Sequence, residues 1–479
     1  MTIMDMVALV PLMLLALTAT GVVLLMAFCR CHRTTVLVTL IGMGLSIVAL
    51  ALLPFVCVNR QVTPVLMIDT YAVLYMGILF VTSFVIAAMS YTYFEKQEGR
   101  KEEFYALLLM ATLGAGVVAA SCHFVSFFMG LETLSVSLYA MVAYTRKRQD
   151  SIEAAFKYLM VAAASAAFLL FGMALVYAES GSMEFTQIAK LRLDMPQGNL
   201  LVLLAGCGLM VVGIGFKLAL VPFHLWTPDV YEGAPAPVTA YVATVSKGAM
   251  FALLMRYFAQ VDMHQYPSLI FLFTLIAVVS MFFGNLLALL QNNIKRILAY
   301  SSIGNLGYVM VAFLASGKIA ATAAAVFLAS YFITTLGAMG IITALSGKDR
   351  DADSFEDYRG LFWKSPWLAA IFTAMLLSLA GIPLTAGFIG KFLLLEAGEE
   401  SSVWISIAAL VISSSIGLFY YLRIVLTMCD MSDKESAPAK PVSLTENLVL
   451  SCLFIALLFV GIFPAPLIHV AETLVASIL

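Results

Sequence analysis

The stretch 212-VGIGFKLALVPFHLWTPDVYEGAP-235 begins as apolar sequence fit for a lipid core, then places Lys217, Pro222, His224, Pro228 and Asp229 close together. Pro222 has no backbone donor and clashes with the preceding turn, so a helix running in from residue 200 must break just past Lys217. In a bilayer, broken backbone is tolerated only where protein buries it or where it lines a wet cavity. A lysine near mid-span costs roughly 2.5–3.5 kcal/mol to insert, so it faces protein or water and marks a functional path. Charge and break together predict membrane helices with an ion path through their interior.

The rest of the 479-residue chain agrees. Hydrophobic residues make up 62% and charged residues 11%, where soluble domains hold about half and about a quarter. This is the composition of an integral membrane protein. Lys and Arg number 26 against 28 Asp and Glu, which leaves no basic field for nucleic acid and little polar mass for a soluble catalytic domain. Seven scattered cysteines suggest no disulfide framework, and Cys29, Cys31 and His32 are too tightly spaced for zinc. Asp5, with no Lys or Arg, precedes the first apolar run, which therefore reads as a span and not as a cleaved signal.

Apolar runs of membrane length lie near 7–28, 34–57, 71–94, 104–121, 124–144, 157–178, 200–223, 236–259, 267–290, 297–315, 321–345, 366–398, 402–428 and 446–469. They predict an all-α polytopic fold of about fourteen transmembrane helices in one domain, 1–479; the unbroken runs exclude a membrane β-barrel. Connections on one side hold Arg30, Arg33, Lys96, Arg100, Lys101, Arg146, Lys147, Arg148, Lys295, Arg296, Lys348, Arg350, Arg359, Lys364, Lys434 and Lys440. Those on the other hold Arg60, Lys190, Arg192 and Lys318. Basic residues collect on the cytoplasmic side, so both termini are expected outside the cytoplasm.

Six basic residues remain within spans: Lys157, Lys217, Lys247, Arg256, Lys391 and Arg423. Lys157, Arg256 and Arg423 lie close enough to span ends to snorkel to the interface. Lys217, Lys247 (241-YVATVSKGAM-250) and Lys391 (381-GIPLTAGFIGK-391) are candidates for a path, with Glu132 (130-GLETLSVS-137) as the one acid near mid-span. The competing reading is a set of buried ion pairs that fix helix register. Burial disfavours a lysine's charged form and a nearby carboxylate restores it, so a lysine whose carboxylate partner comes and goes is a loadable proton site. Lys217 is the favoured partner of Glu132. Carbonyls freed by the break at Pro222 are expected to face Lys217, His224 to relay protons or serve structure, and Asp229 and Glu232 to form an exit loop at the cytoplasmic surface.

Gly381, Pro383, Gly387 and Gly390 interrupt the twelfth span as Pro222 interrupts the seventh. Broken helices five spans apart predict two inverted five-helix repeats, spans 4–8 (104–259) and 9–13 (267–428), flanked by helices 1–3 (1–103) and a last helix (446–469). Between the breaks runs a polar thread: Ser301, Asn305 and Tyr308 on span 10, Ser330 and Thr334 on span 11. Interhelical glue would account for such residues equally well. Gly213-Ile-Gly215 lacks the third glycine and the strand of a dinucleotide motif, and the charged loops 95–103 and 347–360 read as solvated connections.

FKLALVPFHLWTPDVYEGAPAPV, with GLETLS before it and SKGA and AGIPLTAGFIGKF after it, closely resembles the antiporter-like N-subunit family of bacterial respiratory complex I, NADH:quinone oxidoreductase, over essentially the whole chain. The family is related to subunits of multisubunit sodium/proton antiporters. The resemblance implies a proton-translocating module of the bacterial inner membrane with no cofactor or metal of its own; NADH, FMN, iron–sulfur clusters and quinone belong elsewhere in the complex. It implies neighbouring antiporter-like and other membrane subunits as partners, and matches Glu132, Lys217, Lys247 and Lys391 to the family's proton-path residues. Lys391 stands where the sister M subunit usually has a glutamate, and the chain leaves no room for the L subunit's lateral helix. Lys157 matches a sixth-helix lysine whose place near a span end leaves its role open. Under this reading protons pass from Lys217 or Lys247 to Lys391, with Glu132 as switch. A cation/proton antiporter subunit and a passive membrane scaffold are the alternatives; few in-span carboxylates are present to ligate sodium.

Overall fold

Wherever the sequence supplies an unbroken apolar run, the backbone closes its own hydrogen bonds as a helix. The computed structural model describes residues 2–56, 60–97, 99–190, 197–261, 265–430 and 443–476. Cys57, Arg192, Lys434 and Lys440 lie outside the described residues. The helices are α1 (Ile3–Phe28), α2 (His32–Val56), α3 (Thr70–Glu95), α4 (Glu103–Ala119), α5 (Phe124–Val142), α6 (Gln149–Ser180), α7 (Phe185–Ile188), α8 (Gln197–Leu218), α9 (Trp226–Gly233), α10 (Ala236–Tyr241), α11 (Lys247–Val261), α12 (Pro267–Leu289), α13 (Ile294–Leu314), α14 (Gly317–Leu345), α15 (Leu361–Lys364), α16 (Pro366–Ala380), α17 (Ala386–Glu400), α18 (Trp404–Cys429), α19 (Leu444–Ile462) and α20 (Ala465–Val475). A π-helical turn, Val242–Ser246, joins α10 to α11. Among the described residues the one pair of strands is a small antiparallel hairpin, β1 (Arg60–Thr63) and β2 (Leu66–Ile68), turning at Pro64, beside three isolated bridges.

Among the described residues, twelve helices are long and apolar enough to cross a membrane, counting Ala236–Val261 as one. The two further expected spans correspond to α4, a shorter apolar helix of 17 residues, and to the α16–α17 pair, 15 residues each. Burial sorts the helices by role. Residues 236–258 are buried throughout and α13 and α14 nearly so, whereas α1, α6 and α19 leave most of their residues on the outside. The interior that holds the polar residues is thus formed by α10–α11, α13 and α14.

Two helix pairs approach at matching registers. A methyl group on Gly114 of α4 would lie 2.6 Å from Leu134 N and 2.7 Å from Gly130 O of α5. On Gly284 of α12 it would lie 2.5 Å from Gly304 N and 2.8 Å from Tyr300 O of α13. Only glycine permits such backbone contact.

Candidate functional site

The first helix break falls where Pro222 predicts. α8 stops at Leu218, directly after Lys217, and Ala219 turns left-handed with φ of 58°. The freed carbonyls do not face Lys217. Gly215 O accepts from Leu220 N at 2.9 Å, and Phe216 O accepts from Ala219 N and from the Trp226 indole, each at 3.0 Å. The turn folds back and caps itself, so the expectation of a half-helix end at this lysine is corrected. Lys217, 3% exposed, donates instead to Ser135 Oγ at 2.8 Å and Tyr158 Oη at 3.0 Å, with its Nζ 5.5 Å from the centroid of the Tyr158 ring. Half-buried Glu132, one turn from Ser135, lines a 10 Å³ cavity with Lys217, Ser135 and Tyr139, and makes no ion pair with Lys217 within 4.0 Å.

Lys247 follows the π-helical turn directly. Such turns recur at functional sites because they re-aim one residue within an otherwise regular helix. Its side chain is 0% exposed, and Nζ lies 2.6 Å from Ser302 Oγ and 5.3 Å from the centre of the Tyr231 ring. The hydroxyls of Tyr231 and Tyr331 lie 3.1 and 2.7 Å from the same Ser302 oxygen.

The second break does supply a half-helix end. α16 stops at Ala380, Gly381 takes φ of 89°, and α17 resumes at Ala386. Lys391 donates to Leu379 O at 2.9 Å, Ala380 O at 3.0 Å and Ser414 Oγ at 2.8 Å, with its Nζ 5.0 Å from the Tyr308 ring centre. The expected thread on α13 is buried and forms two hydrogen-bonded groups, whose Tyr420 and Tyr421 rings lie 4.4 Å apart. The Ser301 and Tyr421 hydroxyls share a hydrogen bond, Asn305 Nδ2 donates to Ser301 O at 2.9 Å, and Asn285 bridges the Tyr308 and Tyr420 hydroxyls at 2.9 Å each. On α14 the thread is not the expected pair. Thr334 turns back onto the carbonyls of Ser330 and Tyr331, Ser330 Oγ has no partner, and Tyr331 between them points at Ser302.

The remaining candidates separate from the lysines. Both ring nitrogens of His224 are buried without a hydrogen-bond partner. Lys157, 46% exposed, pairs with Glu153 at 2.9 Å and Asp229 at 2.8 Å. Arg296 in turn binds Asp229 at 2.9 Å and Glu232 at 2.7 Å. Partial burial pushes the Asp229 carboxyl up, but the bonds from Lys157 and Arg296 outweigh it and hold its pKa below the ordinary value. Asp229 and Glu232 are thus fastened in an ion-pair network. Arg256 does not snorkel. It is fully buried and forms a two-pronged pair with Asp69, 2.7 and 2.9 Å, because Asp69 caps α3 beside it. Arg423 bonds Gln291 O and Asn292 Oδ1 near a helix end.

The residues the sequence did not single out, Ser135, Tyr158, Tyr231, Ser302, Tyr331 and Ser414, form one repeated arrangement. Lys217, Lys247 and Lys391 each donate to a serine hydroxyl and lie over a tyrosine ring. Only Ser135, one turn from Glu132, lay close in sequence to a mid-span charge; no local signal marked Ser302, Tyr331 or Ser414. Among the described residues, no three His, Cys, Asp or Glu side chains cluster to hold a metal.

Comparison with known proteins shows the family to which this fold belongs. The family profile described as "NADH:quinone oxidoreductase/Mrp antiporter, TM" matches residues 121–417. NADH-quinone oxidoreductase subunit N of Nitrosospira multiformis is 51% identical, covering 98% of this chain and 96% of that protein. The subunit of the same name from Ectopseudomonas mendocina is 45% identical over 98% and 97%. Among solved structures, a chain of respiratory complex I from Thermus thermophilus superposes with a TM-score of 0.83 at 30% identity, covering 96% of this chain and 99% of that one. A chain of the Mrp complex from Dietzia shares the fold, with a TM-score of 0.86 at 20% identity over 100% and 98%. This chain belongs to the NADH:quinone oxidoreductase/Mrp antiporter membrane-subunit family, within its NADH-quinone oxidoreductase subunit N branch.

Proposed function

We propose that this chain carries protons across the bacterial inner membrane as a subunit of NADH:quinone oxidoreductase, driven by quinone reduction on other subunits, and that Lys217, Lys247 and Lys391 are its proton-loading sites. The observation that carries the reading is that all three lysines are buried, none has a carboxylate within 4.0 Å, and each rests on a serine hydroxyl beside a tyrosine ring. Lysines placed only to fix register would be paired, as Arg256 is with Asp69. Hydroxyls and π faces hold an ammonium without locking its proton in place.

In this reading Glu132 is the switch. Its movement toward Lys217 stabilises the charge there, and its withdrawal releases the proton. Moving one charge against 100 mV costs about 2.3 kcal/mol, within the reach of a single buried ion-pair rearrangement. The Ser301, Asn305 and Tyr308 thread on α13 joins the region of Lys247 to Lys391. The proposal includes two inverted repeats, 104–259 and 267–428, supported by the matching glycine registers and by the two breaks beside Lys217 and Lys391. It also includes both termini on the periplasmic side and cofactors held by other subunits.

The test is quinone-coupled proton pumping by the assembled complex in sealed vesicles carrying Lys217→Ala, with assembly measured alongside. Normal assembly with collapsed pumping and turnover is expected. Near-normal pumping would overturn the assignment, and loss of assembly and pumping in parallel would make the lysine structural.

A further inference from the structure

Ser302 faces more hydrogen-bond donors than its oxygen accommodates. Lys247 Nζ, Tyr331 Oη and Tyr231 Oη lie 2.6, 2.7 and 3.1 Å from its Oγ, and all four side chains are buried. A serine hydroxyl has two lone pairs and one proton, and an ammonium only donates. With Lys247 charged, one lone pair takes the ammonium, the other takes one tyrosine, and the serine proton must point at the second tyrosine's oxygen. With Lys247 neutral, its nitrogen has a lone pair of its own. Ser302 can then donate to that nitrogen while both tyrosines donate to Ser302, an arrangement the ammonium forbids. Only loss of the charge on Lys247 therefore lets two hydrogen bonds reverse direction.

The four residues come from both halves of the molecule. Tyr231 and Lys247 belong to 104–259, Ser302 and Tyr331 to 267–428. The register of the close helix pairs gives Ser302 a particular place. Gly114 meets the backbone of residues 130 and 134, and Gly284 meets that of 300 and 304, the same separations in both pairs. Counted from these glycines, Ser302 occupies in α13 the position that Glu132 occupies in α5. The second half has a neutral, rotatable hydroxyl where the first has a carboxylate.

We propose that Ser302 is the hydrogen-bond junction that passes the charge state of Lys247 to Tyr231 in one half and Tyr331 in the other, standing in the register that Glu132 holds in the first half. The proposal rests on Lys247 being a proton carrier. The proton leaves or joins Nζ of Lys247, while the O–H bonds of Ser302 and both tyrosines stay intact and only turn. Ser302 is thus a positioning residue.

The experiment compares Ser302→Ala and Ser302→Thr in the assembled complex, reading quinone turnover, quinone KM and proton pumping in sealed vesicles. Ser302→Ala should lower turnover and pumping about tenfold with KM unchanged, and Ser302→Thr, which keeps the hydroxyl, should recover most of the loss. Adding Tyr231→Phe and Tyr331→Phe to Ser302→Ala should cost little more, since coupled residues do not act additively. Near-normal pumping by Ser302→Ala, no rescue by threonine, or additive losses would each overturn the junction. If Ser302→Ala does not assemble, the two tyrosine variants decide: a combined loss smaller than the product of the single losses supports the junction, and a loss equal to that product overturns it. Lys247→Met separates the two claims. Normal pumping there removes the underlying carrier, whereas abolished pumping beside a normal Ser302→Ala removes the junction alone.

Discussion

Asp351 holds three donors on one fully buried carboxylate. Oδ1 accepts from Tyr93 at 2.7 Å and Arg148 at 3.0 Å, and Oδ2 accepts from Lys295 at 2.8 Å. Lys295 also donates to the carbonyls of Glu232 and Ala234, so this carboxylate ties α3, the start of α6, α13 and the segment after α9. Burial alone pushes its pKa up. The charges of Lys295 and Arg148 more than offset that and hold it below the ordinary value of 3.8. A carboxylate with a depressed folded-state pKa adds stability above its unfolded pKa and loses it as pH falls through the folded value. Its contribution is therefore complete at pH 7 and fades only below about pH 4. Asp351→Asn leaves two buried cations without their counter-charge, which costs about 3–5 kcal/mol. The purified complex should melt at a clearly lower temperature or the subunit should fall in abundance in membranes, and Lys295→Met added to Asp351→Asn should restore part of the loss. Wild-type melting in the single variant would mean that the cluster contributes nothing net.

The two broken helices end in different ways, and one substitution tests the difference. Gly381 has φ of 89°, and a methyl group there would lie 3.0 Å from Lys391 Cδ and 3.2 Å from Nζ. Gly181, which caps α6 with φ of 66°, has nothing within 4 Å. Alanine at either position adds roughly 1–2 kcal/mol of left-handed backbone strain, but only Gly381→Ala also pushes Lys391 from the carbonyls of Leu379 and Ala380. Similar losses of stability with impaired pumping in Gly381→Ala alone are expected; equal pumping in the two would separate Lys391's function from its seat at the helix end. Both breaks were legible in the sequence, because a missing donor at Pro222 and glycines around Pro383 act locally. The mid-span lysines were legible because their insertion cost is local too. Their partners were not. The sequence points to Lys157, Ser301 and Ser330, whereas the side chains that meet Lys217 or the Lys247–Ser302 pair are their neighbours Tyr158, Ser302 and Tyr331. One residue turns a helix by about 100°, and packing, not pattern, decides which neighbour faces inward. The Arg256–Asp69 pair joins positions 187 residues apart, and no local rule announces it. The π-helical turn before Lys247 left no proline or glycine mark of its own.

At the scale of the molecule, charge predicts the orientation that helix packing leaves open. The Asp351 cluster and the Arg296 network sit among the connections that hold sixteen of the basic residues, while the opposite connections hold four. Basic side chains near span ends are retained on the cytoplasmic side. We therefore predict Lys348, between α14 and α15, in the cytoplasm and Lys318, at the start of α14, outside it. Both positions are exposed on the isolated chain. With the native cysteines replaced by serine, a membrane-impermeant maleimide added to intact cells should label Lys318→Cys and not Lys348→Cys. Inverted vesicles should give the opposite pattern. Labelling of Lys348→Cys alone in intact cells would turn the whole molecule over, and with it the direction from Lys217 to Lys391. Labelling of both from one side would show that an odd number of membrane crossings does not separate them, and so that α14 is not the spanning helix its composition makes it. The orientation matters to the proposed mechanism because Tyr331 of α14 meets Lys247 at Ser302. Whichever side Lys318 faces is the side from which α14 and its Tyr331 run inward to the Lys247 junction.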